Sequence, residues 1–233
     1  MKLVNISKHF GELNIFDGFS VEFEENKVTA VMGASGIGKS TLVNIVAGLT
    51  PYEGIIEAEG DISCVFSEAA LLPNLTVRGN LEYAVKHKLK DKAERAKAVD
   101  AVLEAVELSD RAGAYPAELS TGMAQRVSMA RGFLFPSRYI LLDEAFRGLD
   151  TALKTKLERY FLKLLDSDPR TVVMITHDVN EALMLADRLI VLEGNPARIA
   201  LDEKIIDDKR SRKLSDPELI EISDKFMSVA GLS

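Results

Sequence analysis

The chain reads as an α/β protein whose core is interrupted by a helical insert. Three observations carry that reading. Short apolar strand patterns alternate with helical ones near both ends, helical patterns alone fill the middle, and the glycine-rich segment VMGASGIGKST at 31–41 joins a strand to a helix.

Each element follows from its local pattern. Between residues 2 and 32 the pieces LVNIS, FSVEFE and VTAVM alternate apolar and polar residues as strands do, with GELN and EENK as turns. STLVNIVAGL has helical spacing and stops at Gly48, just before Pro51. GIIEAEG and ISCVF are further short strands. From about residue 68, LTVRGNLEYAVKHKL, DKAERAKAVDAVLEAVELSD and STGMAQRVSMARGFLF are all helical patterns. Strands resume at RYILLD and TVVMIT, each followed by a helix, and LIVLEGN and RIALDE close the alternation. The expected organisation is one domain over 1–233. Its core spans about 1–66 and 137–206, with a mostly parallel sheet and an antiparallel N-terminal β region. A helical subdomain covers about 67–136, and a C-terminal helical tail about 207–233.

Composition excludes several classes. The 233 residues are 47% hydrophobic and 28% charged, ordinary for a globular protein, and the apolar runs are far shorter than the roughly 20 residues a membrane span needs. The N-terminal stretch lacks the apolar region of a signal peptide. A net charge of −7 argues against nucleic acid as a partner. The single cysteine, Cys64, forms no internal disulfide and reads as a small buried hydrophobe. Two charge-dense runs, KHKLKDKAERAK and DEKIIDDKRSRK, mix both signs and read as solvated faces.

Residues 33–40 fit G-x-x-x-x-G-K-[ST] without departure, between a strand and a helix, which is the setting of a phosphate-binding loop. Gly33, Gly36 and Gly38 allow successive backbone N–H groups to face an anion. With them, Ala34, Ser35, Ile37 and Thr41 complete the loop that would surround a nucleoside triphosphate. Lys39 would reach its β- and γ-phosphates, and Ser40 would offer a hydroxyl to Mg²⁺. The core is therefore that of a P-loop NTPase. YILLDEA at 139–145 supplies the acidic strand end such a site needs, with Asp143 as metal partner and Glu144 as the carboxylate orienting water.

Between these motifs stands ELSTGMAQRVSMARGFLF, 118–135, and here the chain resembles the ATP-binding subunit of ABC transporters. The family signature LSGGQ or LSGGM, followed by QR and AR, is matched by Leu119, Ser120, Gly122, Met123, Gln125, Arg126, Ala130 and Arg131. FRGLD at 146–150 resembles the family's D-loop, and ITHDVNEALMLADR places His177 at the switch-histidine position. SKHFG places Phe10 where the family stacks an aromatic on adenine. The other two histidines, His9 and His87, read as surface residues. The resemblance implies ATP and Mg²⁺ as ligands and a head-to-tail pair of ATP-binding subunits, either two copies or a heterodimer. Ser120 and Gly122 would reach the partner's γ-phosphate, while Lys39, Glu144 and His177 would serve catalysis. It also implies integral-membrane permease subunits, an indirectly linked solute-binding protein, and a peripheral place on the cytoplasmic face of the membrane. The ending DDKRSRKLSDPELIEISDKFMSVAG and the LSxGM-x-QR pattern resemble the nitrate/sulfonate/taurine importer branch.

Several positions depart from the family pattern. Ser67 stands where a glutamine normally reaches the metal or the attacking water, and serine would reach Mg²⁺ only through a water. Thr121 replaces the first signature glycine, Ala145 a proline, Arg147 the D-loop glycine and Gly148 its alanine. These leave room for two alternatives to an importer ATPase: a degenerate regulatory partner in a heterodimer, or a non-transport ABC ATPase.

Overall fold

The structure is a computed structural model and describes residues 1–229; the last four residues of the expected tail lie outside the described residues. Strands β1 (Lys2–Phe10) and β2 (Leu13–Glu22) form an antiparallel hairpin. Strand β3 (Val28–Gly33) runs into the glycine loop and helix α1 (Lys39–Val46). β4 (Glu53–Glu57) turns back onto β1, with Lys2 opposite Glu57, and completes a three-stranded sheet ordered β2-β1-β4.

β5 (Ile62–Val65) leads into the helical layer of α2 (Val77–Val85), α3 (Lys92–Ala105) and α4 (Thr121–Leu134). The chain then alternates through β6 (Tyr139–Asp143), α5 (Thr151–Ser167), β7 (Thr171–Ile175), α6 (Val179–Leu185), β8 (Arg188–Glu193), β9 (Arg198–Lys204) and α7 (Pro217–Val229). The second sheet has the order β5-β6-β7-β3-β8-β9; the first five strands are parallel and β9 is antiparallel to β8. The fold is thus α/β, with one antiparallel sheet and one mostly parallel sheet, as the sequence predicts.

Both faces of the large sheet are buried, and alternate residues feed two separate cores. Ala30, Met32, Ile140, Leu142, Val172 and Met174 join the helices of one core, while Val31, Leu141, Val173 and Ile175 join α1 and the antiparallel sheet in the other. The helical layer docks closely. A Cβ on Gly132 of α4 would lie 2.4 Å from Val65 Cγ2, so only glycine lets the helix approach β5.

One expectation is corrected. The run DEKIIDDKRSRK is not wholly solvated, because Arg212 is buried. Its guanidinium donates to the carbonyls of Leu183 (2.8 Å), Ala186 (2.6 Å) and Asp207 (2.8 Å), the first two at the C-terminal end of α6. A cation there satisfies terminal helix carbonyls and complements the helix dipole, which offsets the cost of its burial. Cys64 is half-buried, and burial pushes its thiol up to about 11.

Candidate functional site

Four neighbouring parallel strands converge on one edge. In the register, Val65 lies opposite Leu142, Asp143 opposite Ile175, and Ile175 opposite Val31. The segments leaving these strands therefore emerge side by side: Ser67 after β5, Glu144 after β6, His177 after β7 and the glycine loop after β3. A ligand crevice at the carboxyl ends of parallel strands is the general expectation for such sheets.

The start of α1 differs from those of α2 to α6. α2, α3, α4, α5 and α6 begin at Thr76, Asp91, Ser120, Asp150 and Asp178, and each of these side chains accepts from its own helix's N–H groups. α1 begins at Gly38, which is left-handed at φ 113° and has no side chain to give. Its first N–H groups are left for an external acceptor. A Cβ at Gly38 would fall 2.5 Å from Ile15 Cγ2, so the turn into the helix is closed to other residues.

Lys39 is buried, with Nζ donating to the carbonyls of Gly33 and Ala34 at 2.8 Å each. Among the described residues no carboxylate is within ion-pair distance of it. Burial lowers its pKa below the ordinary lysine value, while Glu144 and Asp143 farther off pull it back up. A buried cation held only by carbonyls, beside an uncapped helix start, suits a polyanion. Ser40 Oγ donates to Asp143 Oδ1 at 3.2 Å, across 103 residues of sequence. Burial raises the Asp143 pKa, and the Ser40 hydrogen bond opposes that rise. One hydroxyl and one carboxylate, both hard oxygen donors, match the donor set of a magnesium ion that keeps most of its waters. The residues present fit Mg·ATP.

Glu144 and His177 meet: His177 Nε2 lies 2.9 Å from Glu144 Oε1. The Glu144 N–H also donates to the Ile175 carbonyl at 3.0 Å, which fixes the end of β6 to the end of β7. Glu144 adopts a left-handed backbone, φ 52°. Arg147 NH1 lies 2.5 Å from the second carboxylate oxygen, Oε2. Glu144, His177, Arg147 and Ser35 line one cavity of about 1110 Å³. Lys154 lies 2.7 Å from Asp178 and 2.9 Å from Glu181, which holds the start of α5 against the segment that carries His177.

The other expected positions are mostly exposed. Ser120 caps α4, accepting from the Met123 N–H at 3.3 Å, and both it and Gly122 are exposed. Ser67 is exposed beyond β5, and Phe10 is exposed at the end of β1, where Lys8 Nζ sits 4.4 Å from its ring centroid. Ala34, Ser35 and Gly36 are exposed along the loop, while Ile37 and Thr41 are half-buried. His9 and His87 are exposed. Sequence reasoning noted Arg147 only as a replaced glycine; its spacing of three from Glu144 was the available signal. Lys154 carried none.

A family model described as ABC transporter matches residues 16–147. The chain belongs to the ABC transporter family. An aliphatic sulfonates import ATP-binding protein of Granulibacter bethesdensis is 36% identical over 233 residues, covering 100% of this chain and 94% of that protein. A bicarbonate transport ATP-binding protein of Synechococcus elongatus is 36% identical over 228 residues, covering 91% of this chain; the chain spans only 34% of that protein's length. Among solved structures, a dimeric ATP-binding cassette in a post-hydrolysis state bound to ADP and Pi has TM-score 0.78 and 30% identity, covering 89% of this ABC chain and 99% of that one. Among the described residues, no helix is long and apolar enough to cross a membrane.

Proposed function

We propose that the chain is the ATP-hydrolysing subunit of an importer for a small anion, working as one of two ATP-binding subunits that close head to tail around nucleotide. The reading rests on one arrangement above all: the uncapped glycine loop, the Ser40–Asp143 pair and the Glu144–His177 pair occupy adjoining ends of parallel strands. Two relatives act in import or transport of sulfonates and bicarbonate, both small oxyanions. A nitrate-, sulfonate- or taurine-like solute fits that pattern. Membrane permease subunits would be bound from the cytoplasmic face, with a solute-binding protein beyond them.

Each residue has a distinct task in this reading. The loop N–H groups and Lys39 bind and orient the triphosphate, and Phe10 offers an exposed face for a base to stack on. Magnesium, when bound, would supply positive charge that offsets the negative charge of the triphosphate; Ser40 and Asp143 would hold it, with Ser67 acting through a water. Glu144 accepts a hydrogen bond from the attacking water, and His177, on the neighbouring strand end, holds the geometry. Ser120 Oγ already accepts within α4, so its hydroxyl proton is free to donate to a phosphate oxygen brought by a second chain.

Glu144→Gln tests the assignment. It should retain Mg·ATP binding while turnover falls at least about tenfold, the scale of a lost general base. Unaltered turnover removes Glu144 from the reaction. Scattering of that variant saturated with Mg·ATP should show paired chains in the assembled complex; single chains would overturn the head-to-tail arrangement.

A further inference from the structure

Both oxygens of the Glu144 carboxylate have a nitrogen beside them. His177 Nε2 sits 2.9 Å from Oε1, and Arg147 NH1 sits 2.5 Å from Oε2. The backbone arranges this second contact: the Arg147 N–H donates to the Glu144 carbonyl at 3.1 Å, closing a turn that starts from the left-handed Glu144 and ends at the left-handed Gly148, φ 74°. Within that turn, residues three apart face each other. The Glu144 side chain is only 15% exposed, whereas that of Arg147 is 77% exposed. The guanidinium therefore covers the carboxylate from the solvent side. Among the described residues, Glu144 is the only side chain that accepts a hydrogen bond from Arg147.

This arrangement opposes the task assigned to Glu144. An attacking water must donate to a carboxylate oxygen, yet Oε2 already accepts from Arg147 and Oε1 has His177 Nε2 beside it, which narrows the approach to the lone pairs that remain. The contact is end-on through a single guanidinium nitrogen, not the two-pronged pairing that would lock it. Both groups line the cavity shared with Ser35 of the phosphate loop, so phosphate oxygens arriving there offer Arg147 an alternative acceptor.

We propose that Arg147 is a positioning residue that restrains turnover: beside His177 it holds the Glu144 carboxylate in place, and reaction requires the Arg147 side of that clamp to open. The proposal rests on Glu144 being the general base, and its test separates the two.

Arg147→Gln, Arg147→Lys, Glu144→Gln and the parent protein are compared in Mg·ATP turnover. Arg147→Gln should raise kcat by about two- to fivefold, the range an exposed ion pair can impose, with KM shifted by less than about twofold. Arg147→Lys keeps a cation within reach and should stay near the parent rate. The gain should shrink toward unity as salt is raised, because the exposed pair is screened. A second readout needs no turnover. In nucleotide-free protein, phenylglyoxal labelling of Arg147, followed by peptide mass spectrometry, should speed up severalfold in Glu144→Gln. An unchanged or lower kcat in Arg147→Gln, a gain that appears only in KM, or labelling indifferent to Glu144→Gln each overturns the clamp. If Glu144→Gln turns over like the parent, it is the general-base assignment that fails. If Glu144→Gln is inactive while Arg147→Gln is no faster than the parent, the clamp alone fails.

Discussion

Gln125 of α4 donates its side-chain amide to the backbone carbonyl of Phe66 at 2.9 Å. The bond ties the helix headed by Ser120 to the residue just before Ser67, so the helical layer is fastened to the strand edge that carries the site. Gln125 is nearly buried and Phe66 half-buried, which makes the bond costly to lose.

Gln125→Ala should therefore destabilise the protein by about 1–2 kcal/mol, since the Phe66 carbonyl is left without its partner. The midpoint of denaturant unfolding measures this. An unchanged midpoint would mean that water replaces the amide without cost.

Ser67→Gln lengthens the side chain leaving β5 toward the neighbouring Asp143 and Glu144 end of β6. A severalfold rise in ATP turnover, or in its stimulation by the permease, is expected in steady-state assays. Identical rates and stimulation would show that position 67 does not limit the reaction.

Gly132→Ala breaks the usual rule that alanine improves a helix. The new methyl would sit 2.4 Å from Val65 Cγ2. Overpacking should outweigh the propensity gain and cost about 1–3 kcal/mol, seen as a lower melting temperature. A higher melting temperature would mean that β5 yields easily.

Asp202 and Arg188 pair through two bonds of 2.6 Å each across β8 and β9. The Arg188 hydrogen bond holds the Asp202 pKa below its ordinary value of 3.8. The folded state thus favours the ionised form. Its contribution is fully present above about pH 4 and fades as pH falls through the lowered pKa. Solvent screening keeps it under about 1 kcal/mol. Asp202→Asn should lose this small increment at pH 7 and match the parent in the most acidic unfolding curves. A gap that persists there would point to packing instead of charge.

Much of the site could be read in advance because its signals are local. A glycine loop between a strand and a helix, an Asp-Glu pair closing an apolar strand, and a histidine after another such strand each depend only on neighbours in sequence. The partner of β4 was not legible. GIIEAEG looks the same whether it joins the parallel sheet or returns to β1, and long-range pairing decides. Arg212 was misplaced for a related reason. A charged run looks solvated until α6 presents its terminal carbonyls to one member of it. The contact between Arg147 and Glu144 depends on a left-handed residue at 144, a conformation that a glutamate's side chain does not advertise.

That conformation at 144 has a bearing on how robust the protein is. A side-chain-bearing residue forced into αL sacrifices about 1 kcal/mol or more, which glycine would largely recover. Comparing the two carboxylate-free replacements, Glu144→Gly should outlast Glu144→Ala on heating. The native molecule tolerates a thermal weak point at this turn, and a sequence optimised for ruggedness alone would discard the carboxylate to which the proposed function gives the attacking water.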